Sequence, residues 1–223
     1  MSQPRRKPPF SARSRENALD CHRPHSSALA SRAVTLFLAR HGETEWNRIG
    51  RWQGKTDIPL SDVGRAQALT LANNLRHHSI TRIYASDLSR ARETAEIVAT
   101  TLGVARVSFD QRLRERGFGC FEGLTREECA ERHAEAWQRY LADRRDTPRD
   151  AEPQDVVVAR VVAGLTAVAE LAEPSDHVLV VSHGAAIRSF IHSITGAAPP
   201  PLANTALFRV GYHAGAFTTI DPE

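Results

Sequence analysis

Within eight residues, Arg40-His41-Gly42-Glu43-Thr44-Glu45-Trp46-Asn47 gathers side chains suited to handling a phosphoryl group. A histidine attacks phosphorus when one ring nitrogen keeps its lone pair and is aimed, which requires the other N–H to be held by a hydrogen bond. Arg40 adds a permanent charge on a planar fork that fits phosphate oxygens. Gly42 allows close backbone approach, and Asn47 offers an uncharged donor. Alone, the tripeptide is also an ordinary strand-end turn with a surface arginine and histidine. Two features elsewhere raise its weight. His183-Gly184 repeats the His-Gly pair and supplies a donor for charge on a transferring phosphoryl group. Ser86-Asp87-Leu88-Ser89-Arg90 opens a helix whose first N–H groups are expected to face an anion, with Arg90 beside them.

These residues need a frame that brings them to one place. Val34–Ala39 is a short apolar, β-rich run that ends at Arg40-His41-Gly42, and Val178–Ser182 ends in the same way at His183-Gly184. Between them, Ser61 caps a helix through about His78 with Ala66, Leu69, Leu71, Ala72 and Leu75 on its apolar face. Ile83–Ser86 is a strand, residues 88–102 a helix stopped by Gly103, and Arg106–Phe109 a strand. Thr125 to about Arg145 and Pro153–Leu171 are helical, the latter with Val158, Val161, Val162, Leu165 and Val168 on one stripe. A helix to about Thr195 and strands over 205–211 and 216–220 complete the chain. Alternating strands and helices predict a three-layer α/β/α sandwich with a mainly parallel sheet and an antiparallel edge strand. Such sheets bind ligands beyond the carboxyl ends of their strands, where both His-Gly pairs fall.

Composition narrows the class. The chain has 223 residues, 41% apolar and 25% charged, enough for one sizeable core. No apolar run approaches the roughly 20 residues of a membrane helix. Cys21, Cys120 and Cys129 lack the close spacing of zinc ligands or a disulfide framework, so a reducing, cytoplasmic location is expected and no metal site is implied. The pI near 9.0 reflects an uneven charge. Residues 1–33 hold seven Lys/Arg against Glu16 and Asp20, so residues 34–223 carry a net −2, which argues against a nucleic-acid surface. Residues 1–33 are expected to be a disordered basic extension dispensable for function, ahead of a single domain over 34–223. A start placed too early or a bland tail accounts for the extension better than a transit peptide, against which Glu16, Asp20 and four prolines weigh.

The ordered set of motifs resembles the histidine phosphatase superfamily, which includes the cofactor-dependent phosphoglycerate mutases. It comprises the 40–47 run, Gln53-Gly54-Lys55-Thr56-Asp57-Ile58-Pro59-Leu60-Ser61-Asp62-Val63-Gly64, Ser86-Asp87-Leu88-Ser89-Arg90-Ala91, Leu113-Arg114-Glu115 with Phe121-Glu122-Gly123, and Ser182-His183-Gly184. The resemblance covers about residues 34–212, and five motifs in order exclude chance. It implies that His41 becomes phosphorylated and that Arg40, Asn47, Arg90 and His183 grip the phosphoryl oxygens. By the same resemblance Glu115 donates the proton, and Gln53, Gly54, Thr56 and Gly184 belong to the substrate-binding set. No metal and no cofactor is implied; the expected partner is a small-molecule phosphate ester, with neither nucleic acid nor membrane. Glu115 must carry its proton in the first step to release an alkoxide. Where many relatives show Gly-Gly-Glu-Ser, this chain has Asp150-Ala151-Glu152-Pro153, keeping only the glutamate. The segment between Glu115 and His183 is short and free of lysine, unlike the longer insertion of the mutases, which favours a phosphatase over a mutase, while the presence of both His41 and Glu115 counts against a non-catalytic phospho-ligand binder.

Overall fold

A computed structural model describes residues 33–143, 146–174, 176–197 and 199–223. The extension expected over residues 1–33 lies, up to residue 32, outside the described residues. Its last residue, Ala33, already belongs to the first strand.

A single six-stranded sheet organises the chain. The strands are β1 (Ala33–Arg40), β2 (Arg82–Ala85), β3 (Val107–Phe109), β4 (His177–Ser182), β5 (Leu207–His213) and β6 (Ala216–Pro222), in spatial order β3-β2-β4-β1-β5-β6. The first four run parallel, while β5 lies antiparallel to β1 and β6 antiparallel to β5. The antiparallel margin is thus a hairpin of two strands rather than one edge strand. Seven helices accompany the sheet among the described residues: α1 (Glu45–Arg48), α2 (Asp62–Leu75), α3 (Ser89–Leu102), α4 (Arg126–Arg132), α5 (Ala134–Ala142), α6 (Gln154–Leu171) and α7 (Gly184–Thr195). None is long and apolar enough to cross a membrane.

The three layers follow from the period-2 alternation of side chains along β1 and β4. Val34, Leu36 and Leu38 with Val178 and Val180 face α6 and α7, meeting Val161, Leu165, Ile187 and Phe190. Phe37 and Ala39 with Leu179 and Val181 face the other way, onto Leu71 and Leu75 of α2 and Ala95 and Val98 of α3. Because both faces are covered, the central strands are nearly continuous apolar runs.

Two helical expectations are corrected. The buried face of α2 is Gly64, Ala68, Leu71, Ala72 and Leu75, whereas Ala66 and Leu69 are exposed. The face is rotated because the first turn of α2 packs directly on the loop after β1. A Cβ on Gly64 would lie 2.0 Å from the Glu43 carbonyl oxygen, and one on Gly42 2.4 Å from the Gly64 carbonyl oxygen. Only two facing glycines allow that approach. The helix expected from Thr125 to about Arg145 is two helices, α4 and α5, joined at His133; its expected end lies outside the described residues. Neither proline nor glycine marks this bend, which turns Trp137 and Tyr140 onto Trp52 and Phe121.

Candidate active site

The register of the sheet creates the site. β1 and β4 are parallel neighbours with Arg40 opposite Ser182, so the two His-Gly pairs leave the sheet side by side. The His41 backbone N–H donates to the Ser182 carbonyl at 3.0 Å, and the His41 and His183 rings lie 5.1 Å apart. Both histidines are buried.

The His41 ring is fixed in one tautomer. Its Nδ1 lies 2.6 Å from the Gly42 carbonyl oxygen, which can only accept, so the proton sits on Nδ1 and the lone pair on Nε2. Burial, followed by the charges of Arg90 and Arg40, holds the His41 pKa well below its ordinary value, against the opposing effect of the Gly42 bond. Burial, Arg90, His41 and Arg40 do the same to His183. Both rings are therefore neutral near neutral pH.

Around this lone pair stand unpaired nitrogens, three of them donors: two guanidinium Nε–H groups and the one N–H of neutral His183. Arg40 Nε, Arg90 Nε and both ring nitrogens of His183 are buried without a hydrogen-bond partner among the described residues. Buried polar groups are normally paired, and a buried charge needs an opposite one. Two cationic forks and an imidazole N–H suit a ligand with several anionic oxygens. The other ends of the arginines are anchored: Arg40 Nη1 donates to the Leu202 carbonyl, and Arg90 donates to the Thr56 and Gly54 carbonyls at 2.9 and 2.8 Å. Burial lowers the Arg90 pKa to about 10, which leaves it charged at neutral pH.

Glu115 is buried rather than the loop carboxylate its two arginine neighbours suggest. Its Oε1 accepts from the Ala186 and Arg116 N–H groups, each at 2.9 Å, and its Oε2 accepts from Ala185 N–H at 3.0 Å. It thus occupies the N-terminus of α7, where the helix dipole and free N–H groups favour an acceptor. Asn47 sits in α1, whose capping box with Thr44 turns its Oδ1 to Thr44 N–H.

A cavity of about 920 Å³ opens here, lined by Arg40, His41, Asn47, Gln53, Gly54, Arg90, Glu115 and Gly184, with Trp52, Phe118 and Tyr140 forming an aromatic wall. His183 is outside this lining and meets the site through its contact with His41. Thr56 is also outside it: its hydroxyl donates to Glu122 at 2.8 Å and its carbonyl holds Arg90. The N-terminus of α3 does not stand open to an external anion as expected. The Asp57 carboxylate accepts from Ser89 N–H and Oγ at 2.7 and 2.8 Å and fills that position.

Several supporting residues carried no sequence signal of their role. Arg160 of α6 donates to the Glu115 carbonyl at 2.9 Å and forms a two-point ion pair with Glu152, the one residue kept from the altered loop motif. Glu152 in turn accepts from Gly117 N–H. Asn204 Nδ2 donates to the His41 carbonyl at 3.2 Å, from a loop more than 160 residues away in sequence. Among the described residues no cluster of three or more His, Cys, Asp or Glu is arranged to hold a metal ion.

Residues 36–221 match the model of the histidine phosphatase superfamily, branch 1. The chain belongs to that superfamily. Similar superfamily members include phosphoglycerate mutase-like protein 4 of Arabidopsis thaliana, 36% identical over 157 residues, which are 69% of this chain and 68% of the relative. The probable phosphoglycerate mutase GpmB of Salmonella arizonae is 38% identical over 170 residues, 73% of this chain and 75% of the relative. Among solved structures, a mycobacterial glucosyl-3-phosphoglycerate phosphatase complexed with VO3 superposes with a TM-score of 0.71 at 28% identity, covering 80% of this chain and 92% of that one. The superfamily thus contains both mutase-named and phosphatase-named relatives of this chain.

The buried histidines give a measurable acid signature. In the unfolded chain each titrates near its ordinary 6.5, and in the fold lower, so unfolding takes up protons. The stability tied to them is complete above pH 6.5 and is lost as pH falls toward the folded-state values. The loss is about 1.4 kcal/mol per group for each pH unit below 6.5. Thermal unfolding in anion-free buffer from pH 7.5 to 5 should show this decline, flatter by about one proton in His183→Gln. Superimposable acid limbs for the two proteins would contradict it.

Proposed function

We propose that this protein is a phosphatase that hydrolyses a small-molecule phosphomonoester through a phosphohistidine on His41. The observation that carries the reading is the His41 Nε2 lone pair, held at the cavity among the unpaired buried nitrogens of Arg40, Arg90 and His183. Nε2 attacks phosphorus as the P–O ester bond breaks, and Glu115 gives its proton to the departing alkoxide. Water then attacks the phosphohistidine, passing its proton to Glu115 as the N–P bond breaks and inorganic phosphate leaves. Throughout, the arginines and His183 bear the charge on the equatorial oxygens, the main task in phosphoryl transfer. No metal ion or cofactor enters this scheme.

Hydrolysis rather than transfer to a second substrate is supported by the short, lysine-free segment between Glu115 and His183. The mutase reading is favoured by the names of the relatives with 36% and 38% identity. A reducing, cytoplasmic setting fits the free thiols Cys120 and Cys129. A panel of phosphomonoesters, run beside 3-phosphoglycerate with bisphosphoglycerate, separates the two. Phosphate release from at least one ester is expected; rapid isomerisation with negligible hydrolysis would reverse the assignment.

A further inference from the structure

Phe121-Glu122-Gly123 belongs to the motif set, yet the chemistry above gives Glu122 no task. Its surroundings do. The Glu122 Oε1 accepts from Lys55 N–H at 3.1 Å and Phe118 N–H at 2.8 Å. Its Oε2 accepts from Thr56 N–H at 3.1 Å and the Thr56 hydroxyl at 2.8 Å. Three of these four donors come from the loop 53–57, whose Thr56 N–H is shared with the Gln53 carbonyl at 3.0 Å. That loop presents the Gly54 and Thr56 carbonyls to Arg90, whose side chain is fully buried and whose Nε is left unpaired at the cavity. Gly54 has φ of +53°, and a Cβ there would fall 1.9 Å from Glu122 Oε1, so the loop is folded tightly onto the carboxylate.

The geometry points to Glu122 as the positioning residue of Arg90, acting through the peptide units of residues 54–56. The inference rests on the phosphoryl-binding reading of the site and extends it to a residue that touches no substrate. The physical reason is that a buried guanidinium cannot choose its own direction. With its Nη groups tied to two carbonyls, the aim of Nε is set by where those carbonyls stand, and Glu122 sets that. Misplacing an electrostatic clamp by even an ångström costs up to about 100-fold. Glu122→Gln keeps the shape but sets an amide NH₂ against N–H donors on one side, which pushes the loop away.

Orthovanadate, a phosphoryl-transfer mimic, provides the readout, with affinity measured for wild type, Glu122→Gln, Arg90→Ala and the double variant. Vanadate affinity and kcat/KM for p-nitrophenyl phosphate should fall together by about 10- to 100-fold in Glu122→Gln. In the Arg90→Ala background the same change should add little, because the group it positions is gone. Equal factors in both backgrounds, or no weakening, overturn the inference and leave Glu122 a brace of the 118–123 turn. If Glu122→Gln does not fold, Thr56→Val, which removes one of the four donors, carries the same cycle with a smaller factor and the same required non-additivity. Failure of the wild type to bind vanadate would instead overturn the phosphoryl reading of the site, and this inference with it.

Discussion

Replacing His41 with alanine should reduce phosphate release to the background rate, a loss of about 10⁴-fold or more, since the covalent step then has no nucleophile. The reason lies in three features that converge on one atom. The Gly42 carbonyl holds the proton on Nδ1, burial and two arginines keep the ring neutral, and Nε2 is left as the lone pair at the cavity. Among the described residues lining the cavity, Ser189 spends its hydroxyl on the Ala185 carbonyl, and His192 is exposed rather than buried beside the arginines. The assay is phosphate release from the best substrate of the panel, with alkali-quenched protein examined by ³¹P NMR. Wild type should yield an acid-labile N–P species that His41→Ala lacks. Retained wild-type turnover in the variant would remove His41 from the mechanism.

Glu115→Gln should lower steady-state turnover by about 10²- to 10⁴-fold, the usual range for loss of a general acid or base. The leaving group distinguishes its two tasks. An alkyl ester needs the proton, so both steps suffer. From p-nitrophenyl phosphate the weakly basic p-nitrophenolate departs without a proton, so the first step survives while activation of water does not. The variant should therefore release a burst of p-nitrophenol equal to the enzyme and then stall as phosphohistidine. Equal slowing of both ester types without a burst would assign Glu115 a purely structural role. That role is real and must be tracked separately. The amide oxygen can replace Oε1, but the amide nitrogen then faces Ala185 N–H, at a cost of about 1–3 kcal/mol, visible in thermal unfolding.

The elements were legible because their signals are local. β1 and β4 are short apolar runs closed by His-Gly, and both occur where expected. Val161, Leu165 and Val168 of α6 are buried and Val162 packs against the same core, while Val157 and Gly164 join the buried stripe and Val158 is only half-buried. On α2, Leu71, Ala72 and Leu75 are buried as expected, but Gly64 and Ala68 take the place of Ala66 and Leu69, because Gly64 meets the Glu43 backbone, a contact no window of the sequence contains.

Within the site, residue types and motif order determined which groups are present: two histidines, two arginines and a carboxylate. Their arrangement was decided only by the tertiary structure. Glu115 caps a helix 70 residues further along the chain. Arg90 is aimed by carbonyls 34 and 36 residues before it. The helix end expected to receive an anion is filled by Asp57, while Thr56, expected at the substrate, turns to Glu122. Hydrophobic period and turn chemistry are properties of neighbouring residues, so they are written along the chain. Which donor satisfies which buried acceptor depends on segments that meet only after the sheet sets its register, and it is that matching which leaves four nitrogens of Arg40, Arg90 and His183 unpaired around His41.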